Sequence, residues 1–214
     1  MPYAAKDRQE FIKRSDIKPE TRVLDLGGAL FNELASPVFG VTTKRPLKNA
    51  VLIKPQNLPF RDSIFDAVIS YHYFDLVPFD MLGPIFKEVT RVLNSESVFS
   101  FMILLWVPQN EAQRSSFLFN ELLRNSGALY SHEFEDISRQ LSLSGFGEIT
   151  VETIKREIVL PRDFIRSHLL MLGNLVKKDA DGLGIKAFAK QYFEQVNIHG
   201  EAMLPALHFT AKKT

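Results

Sequence analysis

Asp25, Gly27 and Gly28 are the first residues in this sequence whose types and spacing suggest chemistry. They lie at the end of Val23–Leu26 (VLDL), a short apolar run that suits a β-strand. A strand that ends in an acid and a glycine pair is typical of α/β domains that bring backbone close to a nucleotide. The run is not GxGxxG, because Ala29 stands where a further glycine would help. It therefore predicts a site after a first strand without identifying the ligand.

His72 is the best candidate for a general base, and it directly follows a second strand-like run, Phe65–Tyr71. An imidazole can take up or release a proton near neutral pH, which few other side chains can do. The alternative is a hydrogen-bonded histidine at a helix start. Tyr71 and Tyr73 flank it, and one of them could orient a substrate, although aromatic residues at strand ends more often serve packing.

Composition excludes several classes of protein. The chain has 214 residues, no cysteine, 26 Lys plus Arg and 25 Asp plus Glu. Disulfides, thiol catalysis and thiolate metal sites are thereby excluded. The net charge of +1 gives no global field to recruit nucleic acid, although local basic patches remain possible.

Neither a membrane segment nor a targeting segment is expected. The longest apolar run, Val98–Val107, is about half the length that spans a bilayer. Residues 1–16 are charged throughout, unlike a signal peptide or membrane anchor. We therefore expect a soluble, cytoplasmic protein.

No metal site is predicted. The segment Asp179–Gly184 (DADGLG) has some likeness to a calcium loop, but it lacks the third carboxylate, and Gln191 stands at the place of the final glutamate. The remaining histidines show no ligand spacing with acidic residues: His132, His168, His199 and His208.

Hydrophobic periodicity places these residues on alternating strands and helices. Strands are predicted at 22–26, 38–43, 50–53, 65–71, 98–107, 148–160 and 206–212. Helices are predicted at 3–17, 29–36, 79–93, 111–126, 132–143, 162–178 and 183–197, with a turn at 94–97. This order predicts an α/β fold with a doubly wound, mostly parallel sheet of five strands and an added strand pair at one edge. Residues 1–214 are expected to form a single domain.

Three segments resemble class I (Rossmann-like) S-adenosylmethionine-dependent methyltransferases, in the right order. VLDLGG is similar to the first motif of that superfamily, VLDLGCGTG. Residues 58–77, LPFRDSIFDAVISYHYFDLV, resemble its LPFxDxxFDxVxSxxxxxHV segment, and residues 86–104 resemble its EhxRVLkPGGxhhhhh helix and strand. The match covers roughly residues 22–107. The superfamily also closes its sheet with an antiparallel last strand, which agrees with the late strand pair.

The resemblance implies S-adenosyl-L-methionine as cofactor and a site at the carboxyl ends of the strands. Asp25 and the Gly27-Gly28 backbone would face the methionine part of the cofactor, and Ser70 and Tyr71 would line the floor near the sulfonium. The remaining cofactor positions are Ala29, Thr42, Gln56, Asn57 and Leu58, and the catalytic positions are His72 and Tyr71.

The sequence departs from the family pattern in its polar ligands. The glycine loop is reduced to GGALFN, and Thr42 and Thr43 stand where the family usually carries an acid for the ribose hydroxyls. A hydroxyl cannot replace a charged bidentate acceptor. The leading hypothesis is a methyltransferase acting on a small molecule. The alternative is a methyltransferase-like binding or regulatory module without turnover. A dinucleotide oxidoreductase is disfavoured, because the third glycine and the later acid are missing.

Residues 161–205 form a predicted helical insertion before the last strand. It could act as a lid over the acceptor, with Phe164, Leu169, Leu170 and Met171 facing inwards. An ordinary packing cover or the surface of a homodimer is an equally good interpretation. The expected partner is a small-molecule substrate, without membrane or nucleic acid.

Overall fold

The computed structural model describes residues 4–30, 33–34, 36–42, 50–178 and 183–214. Its helices and strands, in chain order, are α1 Ala5–Arg14, β1 Val23–Leu26, β2 Val38–Thr42, β3 Ala50–Leu52, β4 Phe65–Tyr71, α2 Phe79–Val92, β5 Leu93–Leu104, α3 Glu111–Asn125, α4 Phe134–Leu143, β6 Phe146–Ile154, α5 Arg162–Lys178, α6 Leu183–His199 and β7 Ala206–Lys213. A 3-10 turn at Phe74–Leu76 lies between β4 and α2. The chain forms two compact units, a larger one (Ala5–Leu104, Tyr130–Ile154 and Leu207–Thr214) and a smaller one (Leu105–Leu129 and Lys155–Ala206).

The larger unit contains a seven-stranded sheet in the order β3-β2-β1-β4-β5-β7-β6. The first five strands in this order pair in parallel. β7 runs antiparallel to β5: the side chain of His208 bonds to Ser100 at 2.8 Å, and Lys213, further along β7, reaches the carbonyl of Leu93 at 2.6 Å. The predicted doubly wound sheet with an antiparallel last strand is therefore confirmed.

Aromatic side chains fill the core between α2 and the sheet. Phe86 of α2 lies 5.7 Å from Phe99 of β5 and 5.3 Å from Phe74 between ring centroids. Phe101 of β5 stacks on Phe209 of β7 at 4.8 Å, with the rings nearly parallel. All five rings are fully buried. Burial of this much apolar area stabilises the sheet and fixes α2, whose apolar residues follow the predicted helical period.

The turn predicted at 94–97 is wrong, because these residues lie inside β5. Phe65 pairs with Leu93, but Ala67, two residues further along β4, pairs with Val98. β5 therefore holds extra residues opposite β4, as in a bulge, and the polar stretch bends the strand without ending it. Turn-forming residues predict a change of direction but do not distinguish a turn from a bulge.

The two helical turns predicted at 29–36 are also wrong for the residues that the structure describes there. Ala29 and Leu30 lie in a bend, and Glu33 donates its amide to the carbonyl of Leu30 at 2.8 Å in a single turn. The amide of Leu30 is itself bound by Asp25, which fixes the chain in this bend. Thr43 and Lys44–Asn49 lie outside the described residues.

The strand predicted at 148–160 is divided between the two units. β6 starts earlier, at Phe146, and ends at Ile154. Val159 then forms an isolated antiparallel bridge with Ala202 inside the smaller unit. The alternating pattern therefore continues past the end of the sheet, because both segments have one covered and one exposed face.

In the smaller unit, α3, α5 and α6 pack around a cluster of four buried residues, Phe119, Leu172, Tyr192 and Val196. The helices predicted at 162–178 and 183–197 are present. The arrangement of 1–214 as one domain with 161–205 as a lid remains a prediction. No helix in the described part of the chain is long and apolar enough to cross a membrane.

Candidate functional site

The carboxyl ends of β1, β2, β3 and β4 lie at one edge of the sheet, because these strands are parallel. Asp25 of β1 pairs with Gly40 of β2 and Ile69 of β4. Just beyond β1, the amide of Gly27 binds the carbonyl of Val41 at 2.9 Å. The predicted site residues that the structure describes at the ends of these strands, or just after them, are therefore brought to the same edge.

The loop after β1 requires glycine. Gly27 and Gly28 have φ angles of +102° and +66°, which L side chains rarely adopt. A Cβ atom on Gly27 would lie only 3.0 Å from the Cβ of Tyr73. Asp25 is fully buried, and its carboxylate accepts the amide of Leu30 at 2.8 Å. The buried carboxylate of Asp25 thus fixes the conformation of the loop that contains Gly27 and Gly28.

The loop after β3 presents two polar side chains. Gln56 and Asn57 are exposed, while Leu58 is buried. The amide of Asn57 binds the carbonyl of Lys54 at 2.9 Å, which closes a tight turn. The exposed side-chain amides of Gln56 and Asn57 can therefore contact a ligand, each with an oxygen that accepts and a nitrogen that donates hydrogen bonds.

Two residues of α2 clamp this loop. Glu88 accepts the amide of Leu58 at 2.8 Å, and Arg91 donates to the carbonyls of Leu58 and Phe60 at 2.9 and 2.8 Å. Arg91 also binds Glu88 through two nitrogens, at 2.8 Å each, and Asp62 at 2.7 Å. Hydrogen bonds from Arg91 lower the pKa of Glu88, and both carboxylates raise the pKa of Arg91. Residues 58–77 and 86–104, the two longer segments that resemble the methyltransferase superfamily, are thus joined by hydrogen bonds.

The end of β4 holds the candidate base. His72 Nδ1 lies 2.6 Å from Asp75 Oδ2, and the side chains are 18% and 3% exposed. The other oxygen of Asp75 accepts the amide of Leu104 at 3.0 Å. The ring of Tyr71 meets that of His72 edge-on at 4.7 Å. Ser70 is fully buried, and its hydroxyl has no hydrogen-bond partner among the described residues.

The first helix contributes to this edge, which sequence reasoning missed. Tyr71 donates its phenol hydrogen to Asp7, which is 5% exposed, and Arg8 pairs with Glu33 in the segment after β1. One signal was available in the sequence. Asp7 and Phe11 are spaced by four residues, so an acid lies on the apolar face of the helix.

Thr42 ends β2 and is buried at 8% exposure. The structure therefore offers a hydroxyl, without a carboxylate, at this predicted cofactor position. Ala29 is exposed on the glycine loop. No group of three potential metal ligands occurs within the residues that the structure describes, and Asp179–Gly184 lies largely outside them.

The smaller unit has a separate polar cluster around a buried carboxylate. Glu201 is 1% exposed and accepts hydrogen bonds from Tyr192 at 2.6 Å, Ser116 at 3.0 Å and His168 at 3.1 Å. Burial, together with the charge of Glu201, raises the pKa of Tyr192. These bonds join α3, α5 and α6, which gives the cluster a structural role.

Several solved structures share this fold. The phosphoethanolamine N-methyltransferase 2 of Haemonchus contortus, in complex with phosphomonomethylethanolamine and S-adenosylhomocysteine, matches with TM-score 0.60 and 16% identity, over 98% of this chain and 52% of that one. The chain thus spans about half the length of that enzyme. YcgJ of Bacillus subtilis matches with TM-score 0.61 and 18% identity, over 97% and 98% of the two chains. The geranyl diphosphate C-methyltransferase of Streptomyces coelicolor matches with TM-score 0.57 and 13% identity, over 98% and 76%.

In sequence, residues 37–101 match the family described as a methyltransferase domain. No protein of curated function matches the chain in sequence. The structural likeness shows the Rossmann-like fold of class I methyltransferases, and the sequence match is confined to residues 37–101. Residues 37–101 are therefore similar in sequence to the methyltransferase domain family, in agreement with the resemblance found in the sequence. S-adenosylmethionine is the methyl donor of this family, and a small-molecule acceptor is typical of it.

Proposed function

We propose that the chain transfers a methyl group from S-adenosylmethionine to a nitrogen or oxygen atom of a small molecule, with His72 as the general base. The observation that carries this proposal is the His72–Asp75 pair at the carboxyl end of β4. Its short hydrogen bond of 2.6 Å joins a partly exposed imidazole to a buried carboxylate. A base held by a third group is the usual arrangement for proton transfer.

Asp75 sets the roles of the two imidazole nitrogens. Because Nδ1 donates its hydrogen to the carboxylate, Nε2 is the nitrogen that can take up a proton. Asp75 is held in turn by the amide of Leu104, at 3.0 Å, so the imidazole has a fixed orientation. His72 also has a positive φ of 56°, which is unfavourable for a residue with a side chain. Backbone strain of this kind is concentrated at functional sites.

The residues at this edge fit the cofactor. The glycine loop allows close approach of backbone to a ligand, and the buried hydroxyl of Ser70 has no partner among the described residues. Buried polar groups without a partner are rare and call for an explanation, for which a bound ligand suffices. Asp25, Gly27, Gly28 and Ser70 would hold the methionine part of the cofactor. The polar positions at the ends of β2 and β3 would serve the nucleoside: Thr42, Gln56 and Asn57, flanked by Ala29 and Leu58.

When bound, S-adenosylmethionine supplies an electrophilic methyl group on a positively charged sulfur. His72 accepts the proton that the acceptor atom loses on methylation, and Tyr71 orients the acceptor. Much of the rate enhancement in such a reaction comes from holding the reactants in line. Cytoplasmic location and homodimer formation remain predictions from the sequence.

Calorimetric titration with S-adenosylmethionine and S-adenosylhomocysteine tests the proposal first. Micromolar dissociation constants are expected, and absent or millimolar binding would overturn it. A screen of amines and alcohols with labelled methyl donor then identifies the acceptor. With that acceptor, His72→Gln and Asp75→Asn should each lower kcat by about 10²-fold or more, while the exposed residue His199, changed to Gln, serves as the control. Equal activity of all three variants would exclude His72 as the base.

A binding module without turnover is the second candidate, and Thr42 favours it. A buried hydroxyl at the end of β2 gives the ribose a single neutral hydrogen bond where a carboxylate would give two charge-assisted ones. The difference is worth about 1–3 kcal/mol of affinity. Under this function, S-adenosylhomocysteine binds and no compound in the screen is methylated. Transfer to any acceptor that depends on His72 would exclude it.

A further inference from the structure

The first helix is docked on the sheet by a buried ring and a chain of buried hydrogen bonds. Phe11 is fully buried, edge-on to His208 at 5.5 Å and tilted over Tyr71 at 5.9 Å. The hydroxyl of Ser15, just beyond α1, bonds to that of Ser100 at 2.7 Å, and Ser100 bonds to His208 at 2.8 Å. All three polar residues are buried. α1 is therefore held against β5 and β7 by specific contacts.

This docking places Asp7 against the end of β4. Asp7 lies one helical turn before Phe11 on the same face, and it is 5% exposed. Tyr71 donates its phenol hydrogen to Asp7 Oδ2. A buried carboxylate needs donors, and a charge-assisted bond of this kind is about twice as strong as a neutral one. The phenol is thus held in one orientation by a residue 64 positions away in the chain.

Building on the proposed function, we propose that Asp7 is a positioning residue that selects the chemical class of the acceptor. Its carboxylate fixes the hydrogen of the Tyr71 phenol, so the phenol oxygen meets a ligand only as a hydrogen-bond acceptor. The methyl acceptor must therefore bring a hydrogen-bond donor, as an amine or a hydroxyl does. An amine that binds in its protonated form first gives one proton to His72, because the nitrogen needs a free lone pair to form the new bond to the methyl carbon. Polarisation by the carboxylate also increases the negative charge on the phenol oxygen, which favours a cationic amine over a neutral group.

Two analogues test this without a known acceptor. S-adenosylhomocysteine has a neutral sulfur, and sinefungin carries a protonated amine in place of the sulfonium methyl group. Calorimetry should give Asp7→Asn an affinity for S-adenosylhomocysteine within about threefold of wild type, and an affinity for sinefungin at least tenfold weaker. Asparagine keeps the shape of the side chain but removes the charge, and thermal unfolding checks that the fold is intact.

Tyr71→Phe and the double variant Asp7→Asn/Tyr71→Phe show whether Asp7 acts by positioning the phenol of Tyr71 or directly by its own charge. If Asp7 acts through the phenol, Tyr71→Phe weakens sinefungin binding by a similar factor, and adding Asp7→Asn to it causes little further loss. Equal losses from Asp7→Asn with and without the phenol would overturn the inference, since Asp7 would then act by its charge alone. Unchanged discrimination between the analogues in Asp7→Asn would overturn it as well. If the wild type fails to bind S-adenosylhomocysteine, the proposed function falls and this inference falls with it.

Discussion

Replacing Arg91 with lysine should loosen the loop after β3 and lower the free energy of unfolding by about 2–3 kcal/mol. The arginine makes five hydrogen bonds, to Glu88, Asp62 and the carbonyls of Leu58 and Phe60. A lysine keeps the charge but cannot reach both carbonyls and a carboxylate with one nitrogen. Two lost carbonyl bonds and a weakened carboxylate pair, at about 1 kcal/mol each, give this sum. The bond to Asp62 adds little, because that carboxylate is 76% exposed.

Urea unfolding followed by circular dichroism measures the loss, and Arg139→Lys is the matched control. Arg139 pairs with Asp136 at 2.6 Å on the surface of α4, with 64% of its side chain exposed. Its replacement should change stability by less than about 0.5 kcal/mol. S-adenosylhomocysteine should also bind Arg91→Lys about fivefold more weakly, because ordering the loop then takes about 1 kcal/mol. Equal stability of the two variants would refute the view that Arg91 holds the loop.

Two further changes test local features of the larger unit. Gly27→Ala should cost about 2–3 kcal/mol of stability and weaken cofactor binding, because it combines positive φ with a 3.0 Å contact to Tyr73. Gly127→Ala, also at positive φ but with nothing within 4 Å, should cost only about 1 kcal/mol, and equal losses would exclude the contact as a cause. Burial lowers the pKa of His208 to about 4 from 6.5, so the unfolded chain takes up this proton first as the pH falls. The stability from neutral His208 is present above pH 6.5 and should fall by about 2 kcal/mol between pH 7 and 4.5 in urea titrations. His208→Gln should lack this component, and parallel pH curves for wild type and variant would contradict the assignment.

The sequence predicted most reliably where the signal was local and periodic. The limits of β4 were predicted without error, and α2 ends one residue before the predicted limit. Errors arose where a distant or specific contact decides the local structure. The bend at Leu30 depends on the carboxylate of Asp25, and the strand through 94–97 depends on pairing with β4. Neither contact leaves a periodic trace in the sequence.

For the candidate site too, the sequence predicted the general location but not the individual contacts. The order of the strands predicted that residues after β1, β3 and β4 would meet, since parallel strands bring their carboxyl ends together. The partner of each side chain could not be predicted. Asp75 is an example, because the structure has it buried against His72, which lies three residues earlier in the chain. Asp7 joins the site only because Phe11 docks its helix on the sheet.

The place of β7 in the sheet has a consequence for biosynthesis. β6 joins the sheet only through β7, which the ribosome makes more than fifty residues later. Until 206–213 has emerged, β6 on the nascent chain has an open edge, which is a hazard for wrong pairing. Glu148 and Glu152 are exposed and place charges along β6, which opposes wrong pairing at that edge. The segment 155–205 is synthesised before β7, so β7 can pair with β5 and β6 only after both of those strands have been made.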